Sequence, residues 1–182
     1  MKKILFFVAA TLVVSAASAK IWRVNPHPQA DADFSSLDSA LKADAVHRYD
    51  TLYLEPGNYP YSGDYVRKTI TIMGPGWGFK SNSGAIDLST SANIQCGQFV
   101  INADSVCIYG VRVEGNVTFK EPTTSCRMEH CYVNSVMGTT YYSSIRENYI
   151  YGDFTMDNSS YPNRDVLVEN NVIIGRYFRM ST

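Results

Sequence analysis

The sequence predicts an all-β chain wound as a parallel β-helix, entered through one amphipathic helix. Three observations carry that prediction. From Asp50 onward, short alternating segments are punctuated by Gly, Asn and Pro, and helical periodicity does not return. The stretch IRENYIYG, Ile145 to Gly152, recurs with drift as IYGVRVEG from Ile108, MEHCYVNS from Met128 and VENNVIIG from Val168. Within this unit the apolar positions hold while the connections vary in length, as expected of stacked coils with a strand in each.

Residues 1–19 read as a segment outside the fold. Lys2 and Lys3 precede an apolar run from Ile4 to Val14 and an Ala17-Ser18-Ala19 end, the three parts of an export signal cleaved after Ala19. The run is too short to cross a bilayer comfortably, and no Cys follows the cleavage point to take a lipid. The expected chain is exported, whether secreted, periplasmic or at the cell surface, with no membrane span once the signal is gone. Residues 20–48 hold a strand at Ile21 to Val24 and a break at Asn25-Pro26-His27-Pro28. A helix over 35–45 follows, capped by Asp33, with Phe34, Leu37, Ala40 and Leu41 on one face.

Residues 49–182 supply about six rungs. Numbering the repeat from one to eight, position one holds Ile108, Met128, Ile145 and Val168; position six holds Val113, Val133, Ile150 and Ile173. Position ten holds Val117, Met137, Phe154 and Tyr177, and these columns face inward. Each buried apolar side chain contributes roughly 1.5–3 kcal/mol, whereas ordering each residue costs on the order of 1–2 kcal/mol. One coil cannot fold alone, so coils must stack and share a core. Position four holds Val111, Cys131, Asn148 and Asn171. Asn148 and Asn171 are expected to form a structural stack that satisfies backbone groups at the bend.

The segment YDTLYLEPGNYPYSGDYVRKTITIMGPGWG, Tyr49 to Gly78, ends one strand in Pro-Gly-x-Tyr and the next in Ile-x-Gly-x-Gly. It resembles the first rungs of the pectin-lyase-like right-handed β-helix superfamily, and the helix ahead resembles that superfamily's N-terminal cap. The resemblance implies a right-handed solenoid from about Asp33 to the end. The superfamily includes lyases, hydrolases, esterases, tailspikes and proteins without assigned activity, so fold does not select a reaction. The motifs of polygalacturonases are missing, and GDFTM at Gly152 to Met156 shares only Asp-Phe with the pectin esterases. For a pectate-lyase-like site the polar candidates are Asp153 and Arg176, in an outward column, with Asp157 from a loop. That is fewer carboxylates than Ca²⁺ takes, so no cofactor is expected and Ca²⁺ is the one ion with residues to argue from.

Net charge is −1 with no long run of one sign, which removes the electrostatic case for nucleic acid. Cys126 and Cys131 are expected inward as free thiols, with a Cys96–Cys107 bridge left open. The outward aromatic residues Tyr132, Tyr149 and Tyr151, flanked by Arg112 and Asn134, are the candidate ligand platform: sugar rings can pack on aromatic faces while their hydroxyls meet polar neighbours. His130 and Glu147 fall side by side and read as surface residues. Strands run on to Thr182, which predicts an open last rung covered by missing rungs or a protein partner. The expected function is therefore a non-catalytic exported β-helix that binds a polysaccharide, a cell-surface glycan or another surface component. The alternatives are the N-terminal part of a polysaccharide-degrading enzyme, or a structural and assembly role.

Overall fold

The computed structural model describes residues 19–78, 87, 89–156 and 162–180. Residues 1–18 of the expected signal and Asp157 lie outside them. After strand β1 (Ile21–Val24) and helix α1 (Leu37–Lys42), the chain winds through six coils of three short strands. The first coil is β2 (Thr51–Leu54), β3 (Gly57–Pro60) and β4 (Tyr65–Val66); the second is β5 (Thr71–Met73), β6 (Ala92–Gln95) and β7 (Gln98–Ile101). The third is β8 (Cys107–Tyr109), β9 (Arg112–Val113) and β10 (Asn116–Thr124); the fourth is β11 (Arg127–Glu129), β12 (Tyr132–Val133) and β13 (Val136–Tyr141). The fifth is β14 (Ser144–Arg146), β15 (Tyr149–Ile150) and β16 (Phe154–Met156); the sixth is β17 (Leu167–Glu169), β18 (Val172–Ile173) and β19 (Phe178–Met180).

Corresponding strands of successive coils pair in parallel, which makes three sheets, with β1 added at the edge of the first. The architecture is a right-handed parallel β-helix. Ile72, Ile108, Met128, Ile145 and Val168 lie in one register column, and Val113, Val133, Ile150 and Ile173 in another. Inward residues from Leu52 through Phe154 form one continuous buried core.

The third column differs from expectation. Val117 pairs with Val136, Val136 with Phe154, and Phe154 with Phe178. Counted from position six to the paired third-strand residue, the path is one residue shorter in coil four (Val133 to Val136) and one longer in coil six (Ile173 to Phe178) than in coils three and five. A one-residue change reverses the face of every side chain after it. Val136, one residue before the Met137 expected in this column, is thus fully buried, while Met137 and Tyr177 leave the column.

The corners use backbone that the composition did not advertise. Gly110, His130, Glu147 and Asn170 stand at position three with φ of 62°, 53°, 57° and 54°. Tyr49, Ser105, Ser125, Tyr142 and Asp165, each three residues before position one, are also left-handed. At Ser105, Gly110, Ser125, His130, Tyr142 and Glu147 the corner N–H donates to a carbonyl of the next coil.

The expected 35–45 helix is only one and a half turns long. Ser36, not Asp33, caps it, its Oγ accepting from Ser39 N at 3.1 Å; Asp33 instead accepts from Arg23 N at 2.8 Å. Ala43 is already extended, and Lys68 Nζ donates to the carbonyls of Ala43 and Val46 at 2.6 and 3.0 Å. Lys68 thus holds the backbone just past the end of α1. Among the described residues no helix is long and apolar enough to cross a membrane.

Candidate functional site

The outer face of the second sheet changes character along its length. Its first outward column runs Asn58, Asn93, Arg112, Tyr132, Tyr149, Val172. Its second, two residues on, includes Gln95, Glu114, Asn134, Tyr151 and Ile174. Polar residues give way to aromatic ones and then to aliphatic ones. Strand pairing sets neighbours in a column about 4.8 Å apart, so like side chains meet directly.

The tyrosines meet as a stack. Tyr132 and Tyr149 stack at 5.1 Å with planes 6° apart, and Tyr151 stacks on Tyr132 at 5.7 Å and 28°. Rings stacked along the solenoid axis turn faces toward each other and present edges and hydroxyls outward. Arg112 Cζ lies 5.8 Å from the Tyr132 ring centre, on the column's polar side. Burial pushes the Tyr132 phenol above its ordinary value and Tyr149 adds to that, with Arg112 opposing.

Arg112 is held in turn. Its Nη1 donates to Asn93 Oδ1 and Glu114 Oε1 at 2.9 Å each, while Asn93 Nδ2 donates to Asn58 Oδ1 and Glu114 Oε1 at 2.9 Å each. The Asn93 amide holds the Glu114 carboxyl below its ordinary range, against burial and with help from Arg112. Arg112 Nε is buried without an acceptor. Asn134 Nδ2 donates to Asn116 Oδ1 at 3.0 Å. A hydrogen-bonding strip thus borders the rings.

Trp77 is the residue the sequence reading missed. Its ring meets Tyr132 at 5.4 Å and 66° and Tyr149 at 5.7 Å and 64°, so it lies across the edges of both. Gly74-Pro75-Gly76-Trp77 was legible only as a turn, yet it runs along the axis. Gly74 N donates to Tyr109 O and Gly76 N to Gly110 O, each at 2.8 Å, and Trp77 Nε1 donates to His130 O at 2.9 Å. Three hydrogen bonds to two successive coils fasten this strap over the corner between the first and second sheets. Beside it His130 Nε2 and Glu147 Oε2 are 2.7 Å apart, and the Tyr109 ring stands edge-on to the imidazole at 4.9 Å. Pro75, Gly76, Trp77, Tyr109, Gly110, His130 and Glu147 line a pocket of about 290 Å³ there.

The other sequence candidates have structural surroundings. Asn148 Oδ1 accepts from Cys131 N, and its Nδ2 donates to Met128 O, both at 2.9 Å. Asn171 repeats the pattern one coil on, accepting from Asn148 N at 2.9 Å and donating to Ile145 O at 2.7 Å. Asp153 and Arg176 come together through backbone: Asp153 Oδ1 accepts from the N–H of Arg176 and of Tyr177 at 2.8 and 3.2 Å. The carboxylate thus braces a turn. Among the described residues no group of three or more His, Cys, Asp or Glu gathers as a metal site. All four cysteines are free; Cys126 and Cys131 are buried, and burial pushes the Cys131 thiol up to about 12. No protein-family profile, curated protein or solved structure matches the chain.

Proposed function

We propose that this is an exported β-helix of the pectin-lyase-like kind that binds a polysaccharide or cell-surface glycan without cleaving it. In this reading the segment around α1 serves as the N-terminal cap, and the basic start with its Ala-x-Ala end directs export. The observation that carries the binding reading is the cluster of Trp77, Tyr132, Tyr149 and Tyr151 bordered by Arg112, Glu114 and Asn134. Ring edges and phenol hydroxyls beside fixed amides and charges suit a ligand with apolar CH patches and many hydroxyls. The four rings span adjoining coils, so they favour an extended ligand over a small one.

The test is a glycan array probed with the purified chain and its Tyr151→Ala variant, chosen because Tyr151 is exposed and its loss should spare the fold. Selective binding weakened about tenfold, roughly 1.4 kcal/mol, supports the reading. Absence of binding by folded protein sinks it, and breakdown of the bound glycan would restore the enzyme alternative. A second reading, assembly through the last coil, is favoured by the exposed Leu167, Val172, Ile174, Tyr177 and Phe178. It predicts a protein partner and no glycan affinity.

A further inference from the structure

We infer that the corner pocket beside the 74–77 strap is a binding site for one neutral sugar ring, two of whose hydroxyls donate to Glu147 and His130. The inference rests on the glycan-binding reading and adds to it a position and a charge class.

Size limits the ligand first. About 290 Å³ lies at the small end of ligand sites, which run from about 300 to 1,000 Å³. One ring fits; the rest of a chain must continue along the surface, and the tyrosine cluster adjoins the pocket through Trp77.

Donor and acceptor chemistry limits it next. With Nε2 committed to Glu147 Oε2 at 2.7 Å, the pair still offers Glu147 Oε1 and His130 Nδ1. A carboxylate oxygen accepts only, and Nδ1 of a neutral imidazole whose Nε2 donates also accepts. Two acceptors lining one pocket match two hydroxyl donors of one ring. The same carboxylate disfavours a uronate or a sulfated sugar in the pocket, by like-charge repulsion. Tyr109 and Trp77 supply the walls that apolar CH groups require.

The cavity is also preformed. The strap is tied down by Gly74 N, Gly76 N and Trp77 Nε1, and His130 and Glu147 are fixed by left-handed backbone at 53° and 57°. In the same column Gly110, His130 and Asn170 are residue types that visit that conformation readily, whereas Glu147 fits it less well. Gly76 at φ 102° holds a backbone that a residue with a side chain would adopt only under strain. A Cβ at Gly110 would stand 2.8 Å from Gly74 O, so that corner must remain glycine for the strap to close on it.

The experiment is NMR of the full chain with isotope-labelled histidine, following the His130 imidazole, assigned by His130→Ala. The probes are the methyl glycosides of glucose, galactose and mannose, with methyl galacturonide as the charged control. A saturable His130 shift with at least one neutral glycoside is expected, weakened at least about tenfold by Glu147→Gln. Ile21→Ala, at an exposed position in β1 outside both sites, is expected to leave it unchanged, and galacturonide to give no response. No saturable shift with any neutral glycoside, or an equal response to galacturonide, overturns the pocket. Array binding without a His130 response overturns the pocket alone. A His130 response with a silent array keeps the pocket and sinks the reading of an extended glycan. Both side chains are about half exposed, and circular dichroism of each variant reports its fold separately.

Discussion

The two ends of the solenoid are built from the same alternating strands and differ in almost everything else. At the N-terminal end Val24, Leu37, Ala40 and Val46 are at most 1% exposed. The Tyr59 hydroxyl lies 2.7 Å from the carbonyls of both Val24 and Glu55, which share its one proton. Asp50 accepts from Lys20 N, Trp22 Nε1 and His47 N at 2.8 Å each, which ties β1 to the first coil. At the other end Leu167, Val172, Ile174, Tyr177 and Phe178 are between 49% and 58% exposed, and even the inward-facing Val168, Ile173 and Met180 are only partly buried. Burial in a stacked repeat is a property of the neighbouring coil, not of the residue. An end is stable where something other than a coil supplies the missing neighbour.

The largest effect that tests this comparison lies within one column. Phe154 and Phe178 stack at 5.1 Å, but Phe154 is fully buried and Phe178 is not. Phe154→Ala is expected to cost about 3–5 kcal/mol in urea unfolding and Phe178→Ala less than about 1.5 kcal/mol. Equal costs would mean that the last coil is covered in solution.

The asparagine stack gives a smaller contrast of the same kind. Asn148→Ala orphans the buried Cys131 N–H and Met128 carbonyl and should cost about 1–3 kcal/mol. Asn171→Ala orphans groups one coil nearer the open end and should cost less. Thermal unfolding of the two variants side by side decides the order.

The covered end also carries a pH signature. Burial pushes the Asp50 carboxyl up, but the N–H donors of Lys20, Trp22 and His47 outweigh it, so its pKa lies below the ordinary 3.8. A depressed carboxyl contributes stability above its unfolded pKa and loses it as pH falls through the lower folded value. The native chain should therefore lose stability below about pH 4 more steeply than Asp50→Asn, which begins lower and has no such slope. Parallel acid titrations followed by circular dichroism would show it, and identical slopes would remove Asp50 from the account.

The smallest expected effect is at the open end itself. Val172→Thr and Ile174→Thr should each change stability by less than about 0.5 kcal/mol, because both side chains stay more than half exposed in the folded chain. A larger loss would reveal a partner already seated there.

Much of the architecture was legible in the residues. Alternation fixed which side chains face the core, and the repeat aligned the first two strands of each coil in the register the structure has. The third strand slipped in two coils, because a connection one residue shorter or longer leaves no signature in composition. Tyr132 and Tyr149 were placed side by side by counting alone, and so were His130 and Glu147. The left-handed corners stayed hidden, since Tyr, Ser, His and Glu give no local sign of that backbone.

By itself, then, the sequence determined the period, the inward columns and which residues neighbour one another along the axis, because hydrophobic alternation and repeat length are local quantities. Tertiary structure alone decided how the rings are turned, what holds the chain past the helix and what lies across the corner. Ring orientation follows from stacking between coils, Lys68 reaches back to hold the backbone just past the helix, and Trp77 finds His130 O from 53 residues away. Contacts at that separation are set by how coils pile on one another, which no stretch of sequence contains.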